Sequence, residues 1–425
     1  MERSGMQYQT YVQILKEELV PAMGCTEPIA LAYCAAKARE VLGCLPERCV
    51  VEASGNIVKN VKSVIVPNTG GLKGIEAAAA AGIVAGDAGK ILEVISGVTE
   101  EQKGEIREFL SRAEIRVEPL ETDEILDMIV TLYKGESTSR VRISNYHTNI
   151  VLIEKNGQVV YERGVMAAKE AQMADRSLLN VEDIYDFAKT ADLEDVKDII
   201  GRQIAYNSAI SEEGLKNNWG ANVGSVLLKA YGDDVQVRAR AAAAAGSDAR
   251  MSGCEMPVII NSGSGNQGMT ASLPVIEYAK ELGSSEEELY RALLLSNLLT
   301  IHQKTGIGRL SAYCGAVSAG CGAGCGIAFL QGADLKAIAH TLVNALAIVS
   351  GIICDGAKPS CAGKIAAAVD AGILGYQMYV NGQQFRGGDG IISKGVENTI
   401  HNVGRLGKDG MKETDKEIIR IMTDC

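Results

Sequence analysis

Across residues 8–19 the apolar positions Tyr8, Tyr11, Val12, Leu15 and Leu19 recur every three or four residues, the spacing of one helix face. Pro21 closes that segment. Thr26 and Pro28 then supply a cap and a first turn, and the helical repeat resumes over residues 29–42. Residues 49–66 alternate and are rich in β-branched side chains, which predicts a strand or a hairpin broken at Gly55-Asn56. The turn VPNTGG, residues 66–71, leads into an alanine-rich helix.

The character changes over residues 90–163, where short β-like runs alternate with acidic helical pieces such as 100–113. Beyond residue 165 helical spacing dominates: charged helices over 177–191 and 194–209, an alanine-rich helix over 235–251, then a short apolar run, the turn NSGSGNQG at 261–268, and a further helix. The expected fold is α+β. A predominantly helical domain rich in Gly/Ala helix contacts (1–88 and 166–425) carries a small inserted α+β lobe (89–165).

Composition sharpens this. The 47 glycines and only 4% aromatics suit helices packed closely through small side chains. A net charge of -11 with no Lys/Arg cluster argues against nucleic acid as a partner. The N-terminal stretch has no apolar core of a secretory signal, so a cytoplasmic location is expected. The uncharged run 311–333 holds too many glycine and polar residues for a lipid-facing helix, so no membrane span is expected.

In such a compartment the eleven cysteines are expected reduced, and therefore buried, catalytic or metal-bound. Cys314, Cys321 and Cys325 share one helix face, which serves helix packing as readily as ligation. Cys354 and Cys361 bracket a loop whose Gly356 and Pro359 bar a continuous helix. Cys25 precedes a helix start, where free amides and the dipole favour a thiolate. No C-x-x-C occurs, which sets aside zinc-ribbon and thioredoxin-type sites. Gly263, Gly265 and Gly268 match G-x-G-x-x-G, but no second strand ending in an acidic residue follows. His147, in the lobe, reads as a solvated or hydrogen-bonded histidine.

PAMGCTEP (21–28), VPNTGG (66–71), NSGSGNQG (261–268) and ICDGAKPSC (353–361) together resemble the L-cysteine desulfidase family, and in part the catalytic domain of iron-sulfur L-serine dehydratases. The dehydratases' separate regulatory domain has no counterpart here. The resemblance implies a [4Fe-4S] cluster held by Cys354 and Cys314, with Cys361 or Cys25 as third ligand; Cys321 and Cys325 remain packing residues. It implies β-elimination of L-cysteine to pyruvate, ammonia and sulfide, with L-serine dehydration and a non-catalytic cysteine sensor as alternatives. A pyridoxal-phosphate lyase is a further alternative, although no lysine stands out as a Schiff base.

Cys25, Lys304 and Lys358 are the candidate catalytic groups. Glu27, Asn68, Thr69, Ser262, Ser264, Asn266, Gln267 and His302 are the candidate substrate-binding groups. Cys425, whose thiol and free α-carboxylate mimic two groups of the substrate, is a candidate cap on the open iron. The expected partner is a small amino acid, and a homodimer is the candidate assembly.

Overall fold

The computed structural model describes residues 2, 3, 5–122, 124–163, 173–308 and 310–423; Cys425 lies outside them. The fold is α+β and mostly helical, 60% helix against 12% strand. Two cores organise it. The first gathers the helices after residue 173 together with the N-terminal helix Met6–Glu18, whose Tyr8 and Tyr11 pack on Phe187 at ring-centroid distances of 5.2 and 5.4 Å.

The second core is built on a six-stranded sheet in the order Glu114–Pro119, Arg48–Ala53, Asp127–Lys134, Ser137–Ser144, Ile150–Lys155, Gln158–Glu162. The first pair is parallel and the rest antiparallel. Register is set by burial: Val51 faces Val130 and Val130 faces Val141, so the apolar partners fall on one side. The helices Thr26–Leu42 and Gly74–Ala85 cover that side, with Ser139 Oγ donating to the Ala38 carbonyl at 2.8 Å. The strands of the 89–165 stretch thus share their core with elements before residue 88.

The hairpin expected over 49–66 is replaced by one strand and a helix, Gly55–Val61. Buried Ile57 and Val61 sit four apart on one helix face, a spacing that β-branched content alone conceals.

Two short backbone pairings carry the site. Pro21–Met23 runs antiparallel to Pro257–Ile259, which ties the PAMGCTEP segment to NSGSGNQG. A bridge between Tyr313 and Ile353, with Cys314 N–H donating to Ile352 O at 3.1 Å, lays the start of the Gly315–Leu330 helix beside the CDGAKPSC loop. That helix packs backbone to backbone on Cys361–Val380: a Cβ on Gly324 would stand 2.5 Å from the Gly372 carbonyl oxygen.

Candidate active site

A cavity of about 100 Å³ lies where these pairings meet. It is much smaller than the ~300–1,000 Å³ of drug-sized sites and so limits its occupant to a small molecule. Four helix starts converge on it. Cys25 caps Thr26–Leu42, Ser264 caps Gly265–Leu282, Cys314 caps Gly315–Leu330, and Cys361 opens Cys361–Val380. Unpaired amides and aligned dipoles make such ends electropositive, so their meeting point favours anionic occupants.

Cys314, Cys354 and Cys361 line one part of the cavity. The loop that brings the last two together turns at Gly356, whose φ of +94° and position 2.4 Å (as a notional Cβ) from the Lys59 carbonyl admit no side chain. Asp355 pairs with Lys358 at 3.2 Å and with Lys364, fixing the loop from outside. Burial, then the neighbouring Cys354 and Cys361 thiols, push Cys314 up to about 12; burial and Cys354 likewise raise Cys361. As thiolates these groups repel one another and need a bound cation to ionise together. Among the described residues no three His, Cys, Asp or Glu side chains are gathered tightly enough for a single ion.

The turn 25–27, whose Cys25 belongs to a small buried cluster against which Cys361 packs, is acidic and hydrogen-bonded. Cys25 Sγ–H donates to Glu27 Oε2 at 3.0 Å, and Thr26 Oγ1–H donates to Gly263 O at 2.9 Å, fastening this turn to the glycine loop. His147 Nε2 stands 3.6 Å from Glu27 Oε1, an ion-pair distance beyond hydrogen-bond reach. Burial would raise the Glu27 carboxyl, but His147 and the Cys25 donor outweigh it and hold it at about 2. Cys25 itself goes the other way: burial, reinforced by the Glu27 carboxylate, lifts its thiol well above the usual range. The lowered pKa expected from its helix-start position is therefore overturned, because desolvation outweighs the dipole.

Ser262, Ser264, Asn266, Gln267 and Lys304 also line the cavity. Four lining groups, His147 Nε2, Arg250 Nε, Gln267 Oε1 and the Tyr313 hydroxyl, are buried and lack a hydrogen-bond partner among the described residues. Buried polar groups are ordinarily satisfied, so four orphans around one void mark a place shaped for a polar ligand.

Four expected residues are not brought there. Asn68 donates to Ile95 O at 2.9 Å, tying its turn to the segment after the Gly74–Ala85 helix, and Thr69 Oγ1 donates to Val66 O at 2.6 Å, closing the turn itself. Lys358 is engaged by Asp355 outside the cavity. His302 pairs with Glu397 at 2.7 Å on the opposite side of its helix from Lys304, because residues two apart on a helix point to different faces. Conversely, His147, Arg250, Lys59, Asn60 and Tyr313 line the cavity without a sequence signal that singled them out. For His147, the polar SNYHTN turn between two strands was the available hint.

Residues 89–420 match the family model described as serine dehydratase alpha chain. A UPF0597 protein of Desulfitobacterium hafniense is 65% identical over 99% of this chain and 98% of its own. UPF0597 proteins of Lachnoclostridium phytofermentans and Treponema denticola are 54% and 48% identical, over 98% and 99% of this chain and 99% of each of theirs. Among the described residues no helix is long and apolar enough to cross a membrane. With a model matched over most of its length and relatives aligned end to end, the chain belongs to the serine dehydratase alpha chain family, together with these UPF0597 proteins.

Proposed function

We propose that the protein is an iron-sulfur lyase that eliminates the β-substituent of a small L-α-amino acid, converting L-cysteine to pyruvate, ammonia and sulfide. The observation that carries this reading is that three thiols, the Glu27 carboxylate and several unsatisfied polar groups line one cavity. Cys314, Cys354 and Cys361 are the ligands for a [4Fe-4S] cluster. Each thiolate of such a cluster takes a different iron, so its ligands need not crowd as those of one ion do. Cys25 is engaged by Glu27, so Cys361 is taken as the third ligand. When bound, a cluster with three protein ligands supplies an open iron as Lewis acid.

The chain's own groups do the rest. His147, which lines the cavity and whose Nε2 has no hydrogen-bond partner among the described residues, accepts the Cα proton as general base. Glu27 stays ionised, orients His147, and offers a counter-charge to the imidazolium and the substrate ammonium. The Cα–H pair becomes the new Cα=Cβ bond as the Cβ–S pair leaves with sulfide. The aminoacrylate tautomerises and hydrolyses to pyruvate and ammonia. Buried walls, including Tyr313, keep bulk water from the carbanionic step.

L-serine dehydration is the second reading, favoured by the description of the family model. The same residues serve it, with hydroxide as leaving group. Anaerobic reconstitution followed by iron and sulfide analysis, with kcat/KM for L-cysteine and L-serine, tests both. The larger kcat/KM names the substrate. Full turnover by protein free of iron would refute the cluster.

A further inference from the structure

Arg250 closes the last turn of the Val235–Met251 helix and is 3% exposed. Its guanidinium lines the cavity. One nitrogen, Nη1, donates to Asn266 Oδ1 at 3.1 Å; Nε has no hydrogen-bond partner, and among the described residues no carboxylate stands within ion-pair distance of it. Two other partly buried arginines, by contrast, are compensated: Arg142 by Asp127, and Arg176 by Glu17 and Glu18. A guanidinium cannot discharge itself by losing its proton, so a buried one needs an anion.

The backbone around it is shaped for this side chain. A Cβ on Gly265 would stand 2.4 Å from Arg250 Nε, so the guanidinium lies directly on the first residue of the Gly265–Leu282 helix. That helix end has the same sign as the guanidinium. A planar donor fork beside free amides matches a carboxylate. Glu27, held ionised, lines the same cavity, so the site offers both a cation and an anion, as a zwitterion requires.

We propose that Arg250, seated on Gly265, binds the α-carboxylate of the substrate and so restricts this site to α-amino acids, excluding amines that lack a carboxyl group. The assignment rests on the amino-acid lyase reading and deepens it. The test uses the cluster-loaded full chain and two probes: 3-mercaptopropionate, which keeps the thiol and carboxylate, and cysteamine, which keeps the thiol and amine. Calorimetric titration should show 3-mercaptopropionate binding about 10- to 100-fold more weakly to Arg250→Gln, the range for hydrogen bonds to a charged group, with Arg250→Lys between. Cysteamine binding should not change.

Gly265→Ala keeps the charge but displaces the guanidinium, and it should weaken 3-mercaptopropionate as well. It serves if Arg250→Gln does not retain its circular dichroism. Either variant binding 3-mercaptopropionate as tightly as the wild type, or no binding by the wild type, overturns the proposal. If the probe responds to Arg250 while neither L-cysteine nor L-serine is turned over, the lyase reading falls and the carboxylate seat stands.

Discussion

Replacing Gly324 by alanine should damage the candidate cluster site from a distance. The Gly315–Leu330 and Cys361–Val380 helices cross with no side chain between them: a Cβ on Gly324 would meet the Gly372 carbonyl oxygen at 2.5 Å and its Cα at 2.6 Å. Ordinary carbon contacts begin near ~3.5 Å, so the helices must separate by about 1 Å, and the obstacle is backbone that cannot rotate away. Overpacking of this kind costs about 1–3 kcal/mol, offset in part by the roughly 0.5–1 kcal/mol by which alanine outperforms glycine in a helix. A modest fall in apparent Tm is expected. The larger consequence is at the helix starts, which carry Cys314 and Cys361. Functional constellations tolerate displacement of only ~0.5 Å, so iron per chain should drop by more than half. Gly363, in the second helix with nothing within 4 Å of a notional Cβ, is the control: Gly363→Ala should keep both Tm and iron. Differential scanning fluorimetry and anaerobic iron analysis read the two effects. Equal Tm and equal iron in the two variants would refute the reasoning.

Other expectations concern single groups. Cys314→Ser, Cys354→Ser and Cys361→Ser should each lose most iron on anaerobic reconstitution, whereas Cys25→Ser should retain it; iron lost from Cys25→Ser and kept in Cys361→Ser would reassign the third ligand. His147→Asn should keep its iron and lose about 10²–10⁴ in kcat, the range for removing a general base; unchanged kcat would dismiss that role. Asp248 is fully buried, accepts from the Gly224 amide at 3.1 Å through one oxygen, and is lifted to about 6 by burial, which outweighs the neighbouring backbone amides of residues 221–224. The folded state therefore holds its proton more tightly than the unfolded chain, and stability present below pH ~4 is lost as pH rises through about 6. The shift corresponds to about 3 kcal/mol, so Asp248→Asn should gain stability over the wild type at pH 7.5 and little at pH 4 in denaturant titrations. A gain that does not depend on pH would place its origin elsewhere.

Much of the site was legible because its chemistry sits in local turns. CDGAKPSC and NSGSGNQG combine residues that break helices with residues that bind, and both motifs line the cavity. Asn68 and Thr69 misled for the opposite reason: the same polar side chains that meet ligands also satisfy backbone, and here Thr69 closes its own turn on Val66 O while Asn68 reaches Ile95 O of a later segment. His302 and Lys304 could not both face one site, a constraint of helix geometry available from spacing alone. His147 carried only the weak hint of a polar turn, and Arg250 none. One sits in a strand connection and the other at the end of an alanine-rich helix, and only tertiary packing brings either to the thiols.

The bond from Thr26 to Gly263 spans 237 positions in sequence, and the Pro21–Met23 strand pairs only with Pro257–Ile259. Contacts of such long range return their enthalpy only after a large loop has been closed, so they form late in folding. The cavity cannot exist on a chain still emerging from the ribosome before the segment around residue 361 is synthesised. If the site takes the proposed cluster, its insertion follows, rather than guides, the docking of the two cores. Iron retained through a refolding cycle would count correctly assembled molecules, a kinetic readout that secondary-structure probes do not give.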